Sequence, residues 1–240
     1  MTALPALPAR FLRWLSGHME LGLAALLALA AAGGWAFALI ADEVAEGETH
    51  AFDEAVLLSL RAPGNPADPL GPPLVEELAR DMTALGGTAI LAFLTLAVFG
   101  LLWLQRRRLT ALFLTAAVGG GLALSSTAKA LFDRPRPDLV PHGSHVYTAS
   151  FPSGHSMMSA IVYLTLALLV ARTLPDRRLK IYVVLLASAV TLSVGISRVY
   201  LGVHWPTDVL AGWAAGGGWA LGCAALARYL SRRGAIEDED

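Results

Sequence analysis

Residues 109–131 read LTALFLTAAVGGGLALSSTAKAL, from Leu109 to Leu131: twenty residues with no charge, then Lys129. A helix needs about 20 residues to cross roughly 30 Å of hydrocarbon, and in lipid the backbone must satisfy its own hydrogen bonds. The stretch is therefore read as a membrane-spanning helix. Lys129, near its end, is costly there unless it meets a polar cavity or a partner.

Working outward, five more stretches share this character, at roughly 21–41, 83–104, 155–174, 181–199 and 208–229. The 240-residue chain is 55% hydrophobic and 15% charged, with mean hydropathy +0.57. A soluble domain carries about 25% charge. The expected fold class is all-α: a six-transmembrane-helix bundle with an outer interfacial helical segment between spans 1 and 2. It forms one domain over residues 1–240, with an acidic cytoplasmic tail at 234–240. The first span exceeds a usual signal-peptide core, so it is read as a retained helix. Cys223 is the single cysteine, so no intramolecular disulfide forms. The arginine clusters are short and flank spans, which gives no sign of nucleic-acid binding.

Basic residues set the orientation. Arg10, Arg13, Arg106, Arg107, Arg108, Arg172, Arg177, Arg178, Lys180, Arg228, Arg232 and Arg233, twelve of the eighteen Lys and Arg, fall on one side. Positive charge marks the cytoplasmic side, which puts both termini in the cytoplasm. The other six, Arg61, Arg80, Lys129, Arg134, Arg136 and Arg198, break that rule, and four of them sit at span ends or just after span 3. They are the first sign of an anion site. Between spans 1 and 2 lies an acidic segment, 42–81, with the turn-rich run Pro63-Gly64-Asn65-Pro66. Within it Phe52, Val56, Leu57 and Leu60 recur at helical spacing, which fits either an interfacial helix or one that caps the bundle.

Three short motifs carry chemistry, and the topology puts all of them on the outer face. Lys129 is followed by Arg134-Pro135 and Arg136-Pro137; arginine offers a fork of donors to phosphate and lysine a point charge. Pro152-Ser153-Gly154-His155 opens span 4, with Ser153 as N-cap and Gly154 allowing close approach at a helix end that favours anions. Ser197-Arg198 ends span 5, and His204 precedes Asp208 by four residues at the start of span 6. That spacing lets the carboxylate hold one imidazole nitrogen and free the other as a nucleophile. Each motif alone also reads as an ordinary basic flank or helix cap. Their convergence on one face favours a phosphate site.

The pattern resembles the type 2 phosphatidic acid phosphatase superfamily, the lipid phosphate phosphatases. The matching positions are Lys129, Arg136, Pro137, Pro152, Ser153, Gly154, His155, Ser197, Arg198, His204 and Asp208. Arg134-Pro135 is a second Arg-Pro pair, closer to Lys129 than the family spacing. The resemblance implies His204 as nucleophile, His155 as general acid and then base, and Asp208 as the group that orients His204. Lys129, Arg136, Ser153, Gly154 and Arg198 would bind phosphate. No cofactor and no metal are implied, and the partners are a membrane lipid substrate and the bilayer.

The substrates implied are a phosphomonoester or diphosphate headgroup: undecaprenyl diphosphate or another isoprenoid diphosphate, phosphatidylglycerol phosphate, phosphatidic acid, or lipid A phosphate. The implied location is a bacterial inner membrane, with the site on the periplasmic or outer face. Two alternatives stand beside hydrolysis: phosphotransfer to another lipid from the same site, and lipid transport or flipping. A metal hydrolase using His142, His145, His155, His204 and Asp208 is disfavoured by the clustered cations. The runs Gly119-Gly120-Gly121 and Gly216-Gly217-Gly218 permit close packing within one bundle or between chains.

Overall fold

The structure is a computed structural model and describes residues 21–140 and 149–233. Arg10, Arg13, His142, His145 and the tail 234–240 lie outside the described residues. The elements in order are α1 (Leu21–Glu46), α2 (His50–Ser59), β1 (Arg61–Ala62), β2 (Asn65–Pro69), α3 (Pro73–Leu85), α4 (Thr88–Leu104), α5 (Arg108–Leu131), α6 (Gly154–Thr173), α7 (Arg177–Tyr200) and α8 (Pro206–Arg232).

Helices α1, α5, α6, α7 and α8 are each long and apolar enough to cross a membrane. The sixth crossing differs from the expected helix over 83–104. Here α3 and α4 meet at a 46° bend, which by length and composition fits a broken span or a re-entrant loop. Gly87 is extended (φ −70°, ψ 146°) and ends the first helix; α3 also carries Glu76, Glu77, Arg80 and Asp81, too polar to enter lipid. The bend has a packing cause as well. A Cβ on Gly86 would lie 2.4 Å from Val194 Cγ1, so only glycine lets α3 reach α7 at this point. Tyr163 closes the contact by donating its hydroxyl to the Leu85 carbonyl at 2.8 Å.

The last helix is the hub of the bundle. It packs on α1, α6 and α7, and its approach to α6 depends on Gly216, whose Cβ would sit 2.5 Å from the Met157 carbonyl oxygen. Small residues gain backbone contact where lipid offers no hydrophobic drive. Gly120, Gly121, Gly216 and Gly218 thus make close contacts inside the bundle, while Gly119 and Gly217 face open space.

One end of the bundle is capped by α2, the β1–β2 hairpin and α3. The hairpin turns through Gly64 at φ +79° and is tied down by Arg61, which donates to the Tyr200 carbonyl at 2.9 Å. Arg61 is therefore a structural tie, and Arg80 pairs with Glu76 at the surface. Leu57 of α2 is fully buried against Val140, Val199, Trp205 and Val209. Phe52 of the same helix is 52% exposed, so the buried stripe runs through Asp53 and Leu57. The segment packs on the bundle end through Asp53 and Leu57 and leaves Phe52 and Leu58 exposed.

Candidate active site

The capped end gathers the three motifs. Pro206 opens α8, and its first turn has free N–H groups that need acceptors. Asp208 serves one: its Oδ2 accepts the Trp205 N–H at 2.9 Å. The same oxygen accepts the Ser150 hydroxyl and lies 3.3 Å from His204 Nδ1. Ser150 Oγ is also 3.3 Å from Nδ1. Two acceptors at Nδ1 assign the proton to that nitrogen and leave a lone pair on Nε2. Nε2 lies 3.2 Å from Arg136 Nη1, which also donates to the Val203 carbonyl at 2.7 Å. His204 is 2% exposed. Burial, helped by the charges of Arg136 and Arg198, holds its pKa down at about 4 against the opposing pull of Asp208. A lowered pKa keeps the ring neutral above about pH 4, so at neutral pH Nε2 is unprotonated in a cationic setting.

The PSGH segment is held by Phe151, which is fully buried and packs on Phe37 and Phe132 with ring centroids 5.9 and 4.9 Å away. This fixes the start of α6 against α8, where Ser153 N–H donates to the Asp208 main-chain oxygen at 2.9 Å. Ser153 Oγ accepts from the Ser156 N–H and hydroxyl at 3.4 and 3.0 Å, the N-cap role read from the sequence. Its own hydroxyl hydrogen remains available to an anion. Gly154 faces Lys129: a Cβ there would be 3.2 Å from the lysine Cε. Lys129 donates to the Ala149 carbonyl at 2.9 Å.

Arg198 ends α7 at 5% exposure. Its Nη1 donates to Thr83 Oγ1 at 3.0 Å, while its Nε is buried without a partner. A buried, unanswered guanidinium donor is costly, and an anion at this point would answer it. His155 lines one groove with Lys129 and Gly154, and the positive charges of Arg198, Arg136 and Lys129 bear on it. All eight residues singled out in the sequence therefore meet at one end of the bundle. Among the described residues no three His, Cys, Asp or Glu side chains gather as a metal site would require.

Arg134 turns away from this ring. It bonds Asp208 Oδ1 at 2.7 Å and Asp53 Oδ2 at 2.6 Å, whereas Arg136 is the Arg-Pro arginine that stands beside His204 Nε2. Sequence reading missed Ser150, Asp53 and Thr207. For Asp53 a signal existed: it lies four residues before Leu57 and seven before Leu60, an acid on the buried face of a helix. Ser150 carries no comparable signal.

A groove of about 500 Å³ leads from the site along α4, α5 and α6. Lys129, Gly154 and His155 form its head, and Leu91, Leu122 and Val162 lie along it. A larger cavity of about 580 Å³, lined by Phe37, Phe113 and Trp219, touches none of the eight site residues.

The chain is similar to known proteins in sequence and in fold. Phosphatidylglycerophosphatase B of Bacillus subtilis is 36% identical over 145 residues, covering 60% of this chain and 71% of that protein. Lipid A 1-phosphatase of Rhizobium etli is 32% identical over 174 residues, covering 62% of this chain and 70% of the relative. Among solved structures, the transmembrane PAP2-type phosphatidylglycerolphosphate phosphatase from Bacillus subtilis superposes with a TM-score of 0.76 at 28% identity. That match covers 85% of this chain and 98% of the other. The PAP2 superfamily model matches residues 108–232, from the start of α5 to the end of α8, and the chain belongs to that superfamily.

Proposed function

We propose that His204 attacks the phosphorus of a membrane lipid phosphate through Nε2, forming a phosphohistidine and releasing the lipid alcohol or monophosphate. The chain is an integral membrane protein and a lipid phosphatase of its superfamily; the residue roles and the substrate are our reading. His155 donates a proton to the leaving oxygen, then takes one from the water that hydrolyses the intermediate. Asp208 holds Nδ1–H and offsets the positive charge that the ring gains on phosphorylation. Lys129, Arg136, Arg198, the Ser153 hydroxyl and the Gly154 N–H hold the non-bridging oxygens, where transition-state charge is spread. The observation that carries this reading is His204 itself, with Nδ1 backed by Asp208 and Nε2 facing Arg136.

The groove supports a lipid substrate. Its head holds Lys129 and His155, and its length is apolar, so a phosphate at the site leaves room for a chain beside α5. Phosphatidylglycerol phosphate ranks first, on the likeness in sequence and fold to the Bacillus subtilis phosphatidylglycerophosphatase; phosphatidic acid and undecaprenyl diphosphate follow. The arginine-rich turn at Arg106–Arg108 and the link around Arg177 sit at the end opposite the site. This supports a bacterial inner membrane with cytoplasmic termini and a site on the outer face.

The test is phosphate release by purified protein in detergent with EDTA present. The panel is phosphatidylglycerol phosphate, phosphatidic acid, undecaprenyl diphosphate and p-nitrophenyl phosphate. One lipid should be turned over about 100-fold more efficiently than the soluble ester. Gly119 faces the groove with open space around it. Gly119→Trp should therefore cut lipid turnover at least about tenfold and spare the soluble ester, as loss of uniform binding does. Equal use of lipid and soluble ester would remove the lipid from this reading. Phosphate appearing on an added alcohol in place of water would make the protein a phosphotransferase.

A further inference from the structure

Asp53 comes from α2, outside the stretch that the family model matches, and it is fully buried, with its ion-pair partner Arg134 in the link after α5. Its Oδ1 accepts the Thr207 N–H at 2.9 Å, and its Oδ2 accepts the Thr207 hydroxyl at 2.7 Å and Arg134 Nη2 at 2.6 Å. Arg134 Nη2 also donates to Thr49 Oγ1 at 3.1 Å. Its Nη1 donates to Asp208 Oδ1 at 2.7 Å and to Thr207 Oγ1 at 2.8 Å. The guanidinium lies over the Trp205 ring, 5.6 Å from its centroid. One arginine thus bridges two fully buried carboxylates, one of which holds His204.

We propose that Asp53 and Arg134 are positioning residues for the phosphoryl-transfer site, a clamp that sets both the geometry and the charge of Asp208. The geometry follows from the bonds: Oδ1 is taken from behind by Arg134, so Oδ2 is the oxygen turned to His204 Nδ1. The charge follows from sharing. An arginine paired with Asp208 alone would neutralise it just where the ring becomes positive on phosphorylation. Asp53 takes part of that positive charge, so Asp208 keeps its own for the imidazole. Buried pairs are seldom strong net stabilisers, yet removing one partner is severe, which is how a second layer controls a first. The segment between spans 1 and 2 therefore contributes to the reaction as well as capping the bundle.

The clamp rests on His204 as nucleophile, so its test runs beside His204→Ala. Asp53→Asn keeps the shape and removes the charge. With the thermal midpoint recorded to identify folded protein, it should lower kcat about 10–100-fold with KM unchanged. Arg134→Lys should do the same. The double variant should lose no more than the worse single, because the two act as one unit. Thr207→Val keeps both charges and removes the shared hydroxyl; it should lower kcat about threefold to tenfold even if Asp53→Asn does not fold. Wild-type kcat in folded Asp53→Asn or in Thr207→Val, or losses that multiply in the double variant, would overturn the clamp. An active His204→Ala would overturn the nucleophile assignment instead. An inactive His204→Ala beside a fully active Asp53→Asn would reject the clamp alone.

Discussion

Replacing His204 with alanine should reduce kcat for lipid phosphate release by about 10⁴-fold or more, the scale of losing a nucleophile that works within a unit. The side chain is 2% exposed and makes two structural contacts through Nδ1, to Asp208 and Ser150. Its removal leaves the cap of α8 in place, because Asp208 still accepts the Trp205 N–H and the bond from Arg134. Folding should therefore survive while the chemistry stops. Substrate binding should be largely kept, since Lys129, Arg136 and Arg198 remain. Phosphate release assays on protein with an unchanged elution profile make the check. Residual activity above roughly a hundredth of wild type would mean that another group attacks phosphorus.

Arg198→Ala should lower kcat/KM by about 10³-fold, the upper range for one removed oxyanion donor and the lower range for an arginine on a transferring phosphoryl group. The side chain is buried at 5% exposure, held at one end by Thr83 and left with an unpartnered Nε. An anion bound here would give that donor its partner. Arg198→Lys should recover only about tenfold of the loss, because an ammonium restores charge without the planar fork. Full recovery with lysine would reduce Arg198 to a bulk electrostatic role. A merely structural Arg198 would show as a lost thermal midpoint with near-normal turnover in the surviving protein.

Much of this was legible in the sequence because the chemistry lies in three contiguous segments. Lys129 and Arg136 flank the end of α5, Ser153 to His155 open α6, and Arg198 to Asp208 span the short link from α7 to α8, so each set is close in sequence. Periodicity and length likewise fixed the apolar helices. The break at Gly86–Gly87 has a local cause in the extended Gly87, but the close approach of Gly86 to Val194 comes from another helix and needs the fold. The clamp escaped for the same reason: Asp53 and Arg134 are 81 residues apart, and Asp53 and Thr207 are 154 apart. Spacing could favour Arg136 over Arg134, but only the fold gives Arg134 its partners.

The most direct test of the central claim is a rapid acid-free quench during turnover of ³²P-labelled lipid phosphate, with the protein then mapped for bound label. A phosphoramidate is stable in base and labile in acid, which separates it from a phosphoserine or a carboxyl phosphate. The account predicts one labelled peptide carrying His204, base-stable, acid-labile and absent from His204→Ala. Label on His155 or on Ser153, or full turnover with no labelled protein under conditions that slow hydrolysis of the intermediate, would contradict it.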